Sequence, residues 1–178
     1  MKHLRQSHMW GAIAVGATLV LALAAPVSAA GHQRPFVGRT AGEGSLGPAI
    51  PDCPAGSMFH VEGADTGNVT HLGRVTETYH QCAAVNWATG EGWLTENGSL
   101  TMTAANGDLL FLSYDGQFVA TPLPVPTTAT GEGNWVITGG TGRFAGATGS
   151  GTMSMSVQYT PDLTGAAVSW TWVGSITY

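Results

Sequence analysis

A glycine-rich stretch near the C-terminus constrains the fold of this chain most strongly. Residues 134–153, NWVITGGTGRFAGATGSGTM, begin with a short apolar run and end in an alternating pattern. Glycine permits positive φ angles, sharp bends and close backbone approach, so the stretch predicts a strand, a tight corner and the next strand. The corner residues are Gly139, Gly140, Gly142, Phe144 and Gly146, with Phe144 as a candidate plug for an apolar interior.

The segments after this corner alternate between apolar and polar residues with a period of two. The two apolar series are Met153, Met155, Val157 and Tyr159, then Val168, Trp170, Trp172, Gly174 and Ile176. Alternation of this kind indicates β-strands with one buried face and one wet face. Pro161, Asp162 and Gly165 between the two series predict the turn that joins the strands.

Earlier parts of the chain also have β character. Strand candidates rich in Thr, Val and apolar residues lie at 57–62, 68–85, 99–104 and 108–114. Three dipeptides are typical of tight hairpin turns: Asn97-Gly98, Asn106-Gly107 and Asp115-Gly116. About eight strands with frequent turns predict an all-β fold, a closed antiparallel β-barrel, because closure leaves no unpaired sheet edge.

A proline-rich segment interrupts this pattern at residues 121–133. Pro122, Pro124 and Pro126 occupy every second position, which favours a stiff, extended loop. The segment is interpreted either as a rim over the barrel mouth or as a plain connector.

The N-terminal residues have the features of an export signal followed by a linker. Residues 1–29 combine Lys2 and Arg5, an apolar run and small residues up to Ala29, the pattern of a cleaved signal peptide. An uncleaved membrane anchor is the alternative, since the apolar run is long enough to span a bilayer. Residues 30–52 are rich in Gly and Pro and predict a flexible leader. Residues 53–178 are then the barrel domain, expected to be secreted and without stable membrane insertion after cleavage.

The chain has two cysteines, Cys53 and Cys82. In an exported protein an even pair predicts a disulfide. The alternative is two buried, inert thiols.

The charge distribution excludes several partners. Beyond residue 29 the chain has four arginines, no lysine and all eleven of its acidic residues. An acidic surface repels phosphate backbones, so no nucleic-acid partner is expected. The absence of lysine from this part also excludes Schiff-base chemistry and a phosphate-binding P-loop.

No cofactor and no metal ion is expected. The glycines between Gly139 and Gly151 lack the GxGxxG spacing and the following helix of a dinucleotide-binding loop. Three histidines, His60, His71 and His80, fall on strand candidates, but no pair has the close spacing typical of metal ligands.

Residues 137–144, ITGGTGRF, followed by Gly146 and Gly149, resemble the allene oxide cyclase and dirigent barrel superfamily, which has a similar corner between two late strands. Residues 71–74, HLGR, and 103–108, TAANGD, resemble segments of small secreted bacterial relatives. The resemblance covers mainly residues 100–178 and implies an eight-stranded barrel with an apolar internal cavity. The catalytic glutamate motif of plant allene oxide cyclases and the acidic motifs of dirigent proteins are missing, so no catalytic residue is carried over.

The aromatic and methionine side chains of the later strands are the expected inner lining. These candidate ligand-lining residues are Tyr114, Trp135, Met153, Met155, Trp170 and Trp172. In a barrel of about eight strands, such side chains either fill the interior or leave a ligand cavity.

Glu62, Glu77 and His71 are the candidate catalytic residues, because an acid among apolar walls has a raised pKa and can transfer protons. Glu77 and Tyr79 share a face with His71 if no bulge occurs at Gly73. The alternative is that these polar residues lie on the wet outer face.

These patterns lead to three functional hypotheses. The first is a secreted barrel that binds a small apolar ligand in its interior. The second is a cofactor-free cyclase or isomerase that orients an apolar substrate. The third is a structural barrel with a filled core. The sequence makes no prediction about the oligomeric state.

Overall fold

A computed structural model describes residues 31–178, without the side chains of residues 95–97. Eight strands follow one another: β1 (Gln33–Pro48), β2 (Phe59–Val69), β3 (Gly73–Val85), β4 (Glu91–Thr103), β5 (Leu109–Thr121), β6 (Thr128–Gly140), β7 (Thr148–Tyr159) and β8 (Gly165–Thr177). Each strand pairs antiparallel with its neighbour in sequence, and β8 pairs with β1, which closes a barrel. The predicted fold class is therefore confirmed. Within the described range, no helix has the length and apolar character needed to cross a membrane.

The first strand corrects the prediction of a flexible leader at residues 30–52. Most of that segment forms β1, which pairs with β2 on one side and with β8 on the other. The segment lacked an apolar signal because several inward positions are glycines. A side chain at Gly42 would collide with the Ala64 carbonyl, and one at Gly44 would lie 2.7 Å from the Tyr79 hydroxyl. The predicted signal peptide, residues 1–29, lies outside the described residues.

Two of the three hairpin dipeptides do not form turns. Asn106-Gly107 lies in the turn between β4 and β5, as expected, whereas Asn97-Gly98 lies within β4 and Asp115-Gly116 within β5. A side chain at Gly98 would meet the Tyr114 ring at 3.0 Å, and one at Gly116 would meet the Glu132 carbonyl at 2.6 Å. These two glycines therefore permit close packing between strands, and β4 and β5 are longer than predicted.

One end of the barrel is closed by apolar side chains. Four of them, Phe36, Leu72, Phe144 and Ile176, are almost completely buried. Phe144 lies in a 3₁₀ turn, Gly142–Phe144, between β6 and β7, and its ring centroid is 5.2 Å from that of Tyr178. Phe144 thus occupies the plug position that the sequence suggested.

The glycine corner between β6 and β7 has the geometry that only glycine adopts easily. Gly139, Gly142 and Gly146 have positive φ angles, whereas Gly140 ends β6. A side chain at Gly142 would collide with Asp108, whose carboxylate accepts a hydrogen bond from the backbone N–H of Arg143 at 3.2 Å. The corner is therefore anchored to the β4–β5 turn.

The disulfide prediction is confirmed. Cys53 in the β1–β2 loop bonds to Cys82, and their Cα atoms are 5.6 Å apart. Cys82 lies in β3 where the pairing with β4 shifts register between His80 and Ala83. The bond therefore holds the β1–β2 loop to the end of β3 that is opposite the Phe144 plug.

Candidate ligand cavity

The end of the barrel opposite Phe144 contains an open cavity of about 170 Å³. The loops β1–β2, β3–β4, β5–β6 and β7–β8 lie around this mouth. The cavity is lined mainly by apolar side chains, among them Leu46, Phe59, Val61, Val85, Leu94, Phe118, Val157 and Val168. A concave, apolar site with few polar groups is typical of small-molecule binding.

Small inward residues leave the space for this cavity. Gly44, Ala83, Ala120 and Ala166 all line it and come from four different strands. Farther into the barrel, the inward positions carry tryptophan and tyrosine, which fill the interior. The size of the inward side chains therefore decides where the barrel is open and where it is solid.

The rim carries apolar side chains from three loops. Trp87, Pro126 and Leu163 line the cavity from the β3–β4, β5–β6 and β7–β8 loops. The Trp87 ring packs edge-on against Phe59, with centroids 6.0 Å apart. The proline-rich loop is shorter than predicted, because β6 already begins at Thr128. Its contact with the cavity supports the rim interpretation over that of a plain connector.

The floor of the cavity brings together Tyr79, Gln81 and Trp170. The rings of Tyr79 and Trp170 pack edge-on with centroids 5.8 Å apart. A side chain at Gly63 would collide with the Tyr79 ring, so this glycine allows the tyrosine ring to lie over β2. Among the described residues, neither the Tyr79 hydroxyl nor the Gln81 Oε1 has a hydrogen-bond partner, although both atoms are buried.

A buried carboxyl pair shares the interior with Tyr79 and Trp170. Asp65 on β2 is the register partner of Glu77 on β3, and both side chains are almost completely buried. The Thr40 hydroxyl donates to Glu77 Oε1 at 3.2 Å and accepts from the Trp172 indole N–H at 3.1 Å. Glu77 Oε2 and both Asp65 oxygens have no hydrogen-bond partner of good geometry among the described residues.

Burial decides the protonation of this pair. Burial and, to a smaller extent, the neighbouring Asp65 charge together raise the pKa of Glu77 to about 8. Burial also raises the pKa of Asp65 to about 6, and the nearby Glu77 and Trp170 side chains partly oppose that increase. Near neutral pH the pair therefore shares one proton and carries one negative charge. A neutral carboxyl next to a carboxylate is chemically able to donate a proton.

Two tyrosines near the pair have raised pKa values for the same reason. Burial raises the pKa of Tyr79 and that of Tyr114, and the negative charges of Asp65 and Glu77 contribute. Both phenols therefore stay protonated at neutral pH.

The six predicted lining residues are all buried, but they have two different positions. Met155 and Trp170 line the cavity. The other four, Tyr114, Trp135, Met153 and Trp172, belong to the solid core. Trp170 stacks on Trp172 with centroids 5.6 Å apart, which connects the cavity floor to that core.

The three predicted catalytic residues are far from equivalent. Glu77 faces the interior. Glu62 lies on the outer face, with 64% of its side chain exposed and an oxygen 3.6 Å from His60 Nε2. His71 lies in the β2–β3 turn at the closed end, where its carbonyl accepts a hydrogen bond from Arg143. The hypothesis that Glu62 or His71 faces the cavity is therefore wrong.

Sequence reasoning missed Asp65 and Gln81 as interior polar residues, and it named Tyr79 only as a neighbour on the same face as Glu77. Asp65 lies an even number of residues from both Val61 and Val69 in β2, which places all three on the same face of the strand. The glycines between them interrupt the apolar alternation and hid this signal. Within residues 31–178, no three His, Cys, Asp or Glu side chains are grouped so that they would hold a metal ion.

The chain matches no family model. It matches no curated protein either. Among solved structures it is similar to the pterocarpan synthase dirigent protein GePTS1, with a TM-score of 0.46 and 12% sequence identity. The match covers 85% of this chain and 88% of that chain. No residue role follows from a likeness of this size, and membership of the allene oxide cyclase and dirigent superfamily stays a prediction.

Proposed function

We propose that this barrel is an exported protein that binds a compact apolar molecule in its open cavity. The observation that carries the proposal is the combination of an open mouth, an apolar wall and small inward residues at Ala83, Ala120 and Ala166. The Cys53–Cys82 disulfide supports an oxidising location outside the cytoplasm.

The cavity volume limits the size of the ligand. A cavity of about 150 Å³ lined by Leu, Ile and Phe holds benzene in another protein. At about 170 Å³, the present cavity suits one ring or a short branched chain. A larger molecule would have to extend past the rim at Trp87, Pro126 and Leu163.

Native mass spectrometry of the secreted protein tests whether a small molecule is retained. Calorimetric titration with methylcyclohexane then measures affinity for a purely apolar probe. Two adjacent substitutions on β8 localise the binding, because Ala166 faces the cavity and Ala167 faces solvent. We expect Ala166→Leu to reduce the affinity at least about tenfold by occupying the cavity, and Ala167→Leu to leave it unchanged. Equal affinities in the two variants would reject the proposal, and so would a protein that retains no molecule and binds neither methylcyclohexane nor its polar derivatives.

A second candidate is a cofactor-free isomerase or cyclase, which the buried Asp65–Glu77 pair favours. The pair holds a proton at neutral pH inside an apolar interior, as a general acid requires. Neither carboxyl lines the cavity, so a substrate would have to pass the residues of its floor to reach them. Loss of turnover of a bound substrate in Glu77→Gln, with its affinity retained, would support the enzyme. Unchanged turnover would remove Glu77 from the reaction.

The third hypothesis, a structural barrel with a filled core, is supported only by the half of the barrel around Trp135, Trp172 and Phe144. The cavity at the other end favours binding over this alternative.

A further inference from the structure

The polar atoms at the cavity floor identify the chemical class of the ligand, provided that the proposed binding function holds. We infer that the ligand is a neutral alcohol, whose apolar body lies near the mouth and whose hydroxyl group reaches Gln81 and Tyr79. The inference depends on three properties of the cavity: the polar groups at its floor, the charges around it and its shape.

Apart from the Trp170 indole N–H, which is unpartnered but lies close to Asp65, the floor contains two side chains with unused hydrogen-bonding capacity. Gln81 and Tyr79 both line the cavity, and both are more than nine-tenths buried. The Gln81 Oε1 and the Tyr79 hydroxyl have no hydrogen-bond partner among the described residues. A buried polar group without a partner is unfavourable, so a ligand that satisfies these atoms gains free energy that a hydrocarbon does not.

A hydroxyl group matches the chemistry of both side chains. It donates one hydrogen bond, which an amide oxygen accepts, and it accepts one, which a phenol donates. The terminal torsion of glutamine is soft, so rotation of the Gln81 amide toward the cavity requires little free energy. The carboxamide and the phenol lie on alternate positions of β3 and thus point to the same side of the strand.

The surrounding charges exclude an anionic end group. Asp65 and Glu77 lie in the interior close enough to Tyr79 to raise the pKa of its phenol. All four arginines of the described chain are exposed, so no cation compensates a carboxylate at the floor. An anion there would be desolvated next to a negative charge.

A cationic end group is disfavoured as well. The negative charge of the carboxyl pair attracts an ammonium group, but no aspartate and no glutamate lines the cavity, so the group would lose its hydration without a direct ion pair. A neutral alcohol avoids both penalties.

The shape of the cavity determines the orientation of the ligand, that is, which end lies at the floor and which at the mouth. Phe59 and Phe118 lie along the wall, whereas Gln81 and Tyr79 come from the middle of β3. The apolar body therefore packs between the aromatic walls, and the hydroxyl enters first.

Four compounds with one carbon skeleton test the inference by calorimetry on the full-length secreted protein: cyclohexylmethanol, methylcyclohexane, cyclohexanecarboxylate and cyclohexylmethylamine. We expect the alcohol to bind more tightly than the acid and the amine by at least about tenfold. Tighter binding of the acid or the amine would overturn the inference.

Three variants test the contact itself. Gln81→Met keeps the length of the side chain and removes the amide, and Tyr79→Phe removes only the hydroxyl. Tyr114→Phe is the matched control, because the Tyr114 hydroxyl is also buried and unpartnered but this residue does not line the cavity. We expect the ratio of alcohol affinity to methylcyclohexane affinity to fall about fivefold to tenfold in the first two variants and to stay constant in the control.

The outcomes separate the inference from the proposed function. A constant ratio in both Gln81→Met and Tyr79→Phe, with methylcyclohexane still bound, overturns the alcohol and leaves the apolar cavity in place. An equal fall in Tyr114→Phe also overturns the inference, because the effect would then not come from the floor. Absence of binding by all four compounds overturns the proposed function and the alcohol with it.

Discussion

Asp65 and Glu77 face each other across the β2–β3 pairing, and both carboxyl groups are enclosed within the barrel. Among the described residues, only one oxygen of Glu77 has a hydrogen-bond partner, the hydroxyl of Thr40. The Thr40 hydroxyl in turn accepts a hydrogen bond from the indole N–H of Trp172. Side chains from β1, β2, β3 and β8 therefore meet at one polar cluster inside a mainly apolar interior. Because charge is unfavourable there, the stability of the barrel has to depend on the protonation of the pair.

The barrel should be more stable at pH 5 than at pH 8. Burial raises the pKa of Glu77 from 4.5 to about 8, so the folded protein binds more protons than the unfolded chain between these values. The free energy of unfolding therefore falls as the pH rises through this range. We expect the wild type to lose on the order of 2–3 kcal/mol more than Glu77→Gln between pH 5 and pH 8, measured by urea unfolding.

Glu62→Gln is the control for this measurement, because Glu62 is an exposed acid on the same sheet. It should keep the pH profile of the wild type. If the free energy of unfolding changed equally with pH in the wild type and in Glu77→Gln, the burial of Glu77 would have no energetic consequence.

The sequence predicted the barrel well where inward positions carry large side chains. The alternation of β7 and β8 was clear, because methionine, valine and tryptophan mark every second residue. The same alternation in β1 was hidden, since glycines at positions 38, 42 and 44 leave room for larger side chains of neighbouring strands. A glycine opposite a tyrosine is a packing relation between strands, which one sequence does not reveal before the register is known.

The cavity was predicted less well than the core for a related reason. Trp170 and Met155 were expected at the lining, but small residues such as Ala83 and Ala166 create the space. An alanine in a strand carries no signal for a cavity. Glu77 was identified as an interior candidate, whereas Asp65 became evident only from its pairing with Glu77. Polar residues inside a barrel are recognised from register, which depends on bulges and turns that the dipeptide signals placed incorrectly.

Reduction of the disulfide should lower the melting temperature. The Cys53–Cys82 bond spans 29 residues, and closing a loop of this length restricts the unfolded chain. The loop-entropy relation gives about 3–4 kcal/mol. Thermal unfolding followed by circular dichroism, with and without a reductant, measures the change. The double variant Cys53→Ala/Cys82→Ala serves as the control, because reductant should not alter its midpoint. An unchanged midpoint for the reduced wild type would contradict the expected contribution.

Removal of the plug side chain should destabilise the closed end. Phe144 is completely buried, so Phe144→Ala should reduce the free energy of unfolding by about 3–5 kcal/mol. Phe111→Ala is the matched control, since Phe111 is only half-buried on the outer face of β5 and should cost about 1 kcal/mol. Urea unfolding of both variants measures the difference. Similar losses in the two variants would mean that Phe144 is not the main closure of this end.

The role of β1 can be tested by truncation. A chain that begins at residue 53 keeps both cysteines but lacks β1, so β2 and β8 each lose the strand with which they pair. Two exposed edges should then prevent cooperative folding and promote aggregation. A chain that begins at residue 31 retains β1 and should show a cooperative thermal transition with native near-ultraviolet circular dichroism. If the shorter chain gave the same transition and the same spectrum, β1 would be dispensable, and the barrel would be able to close without it.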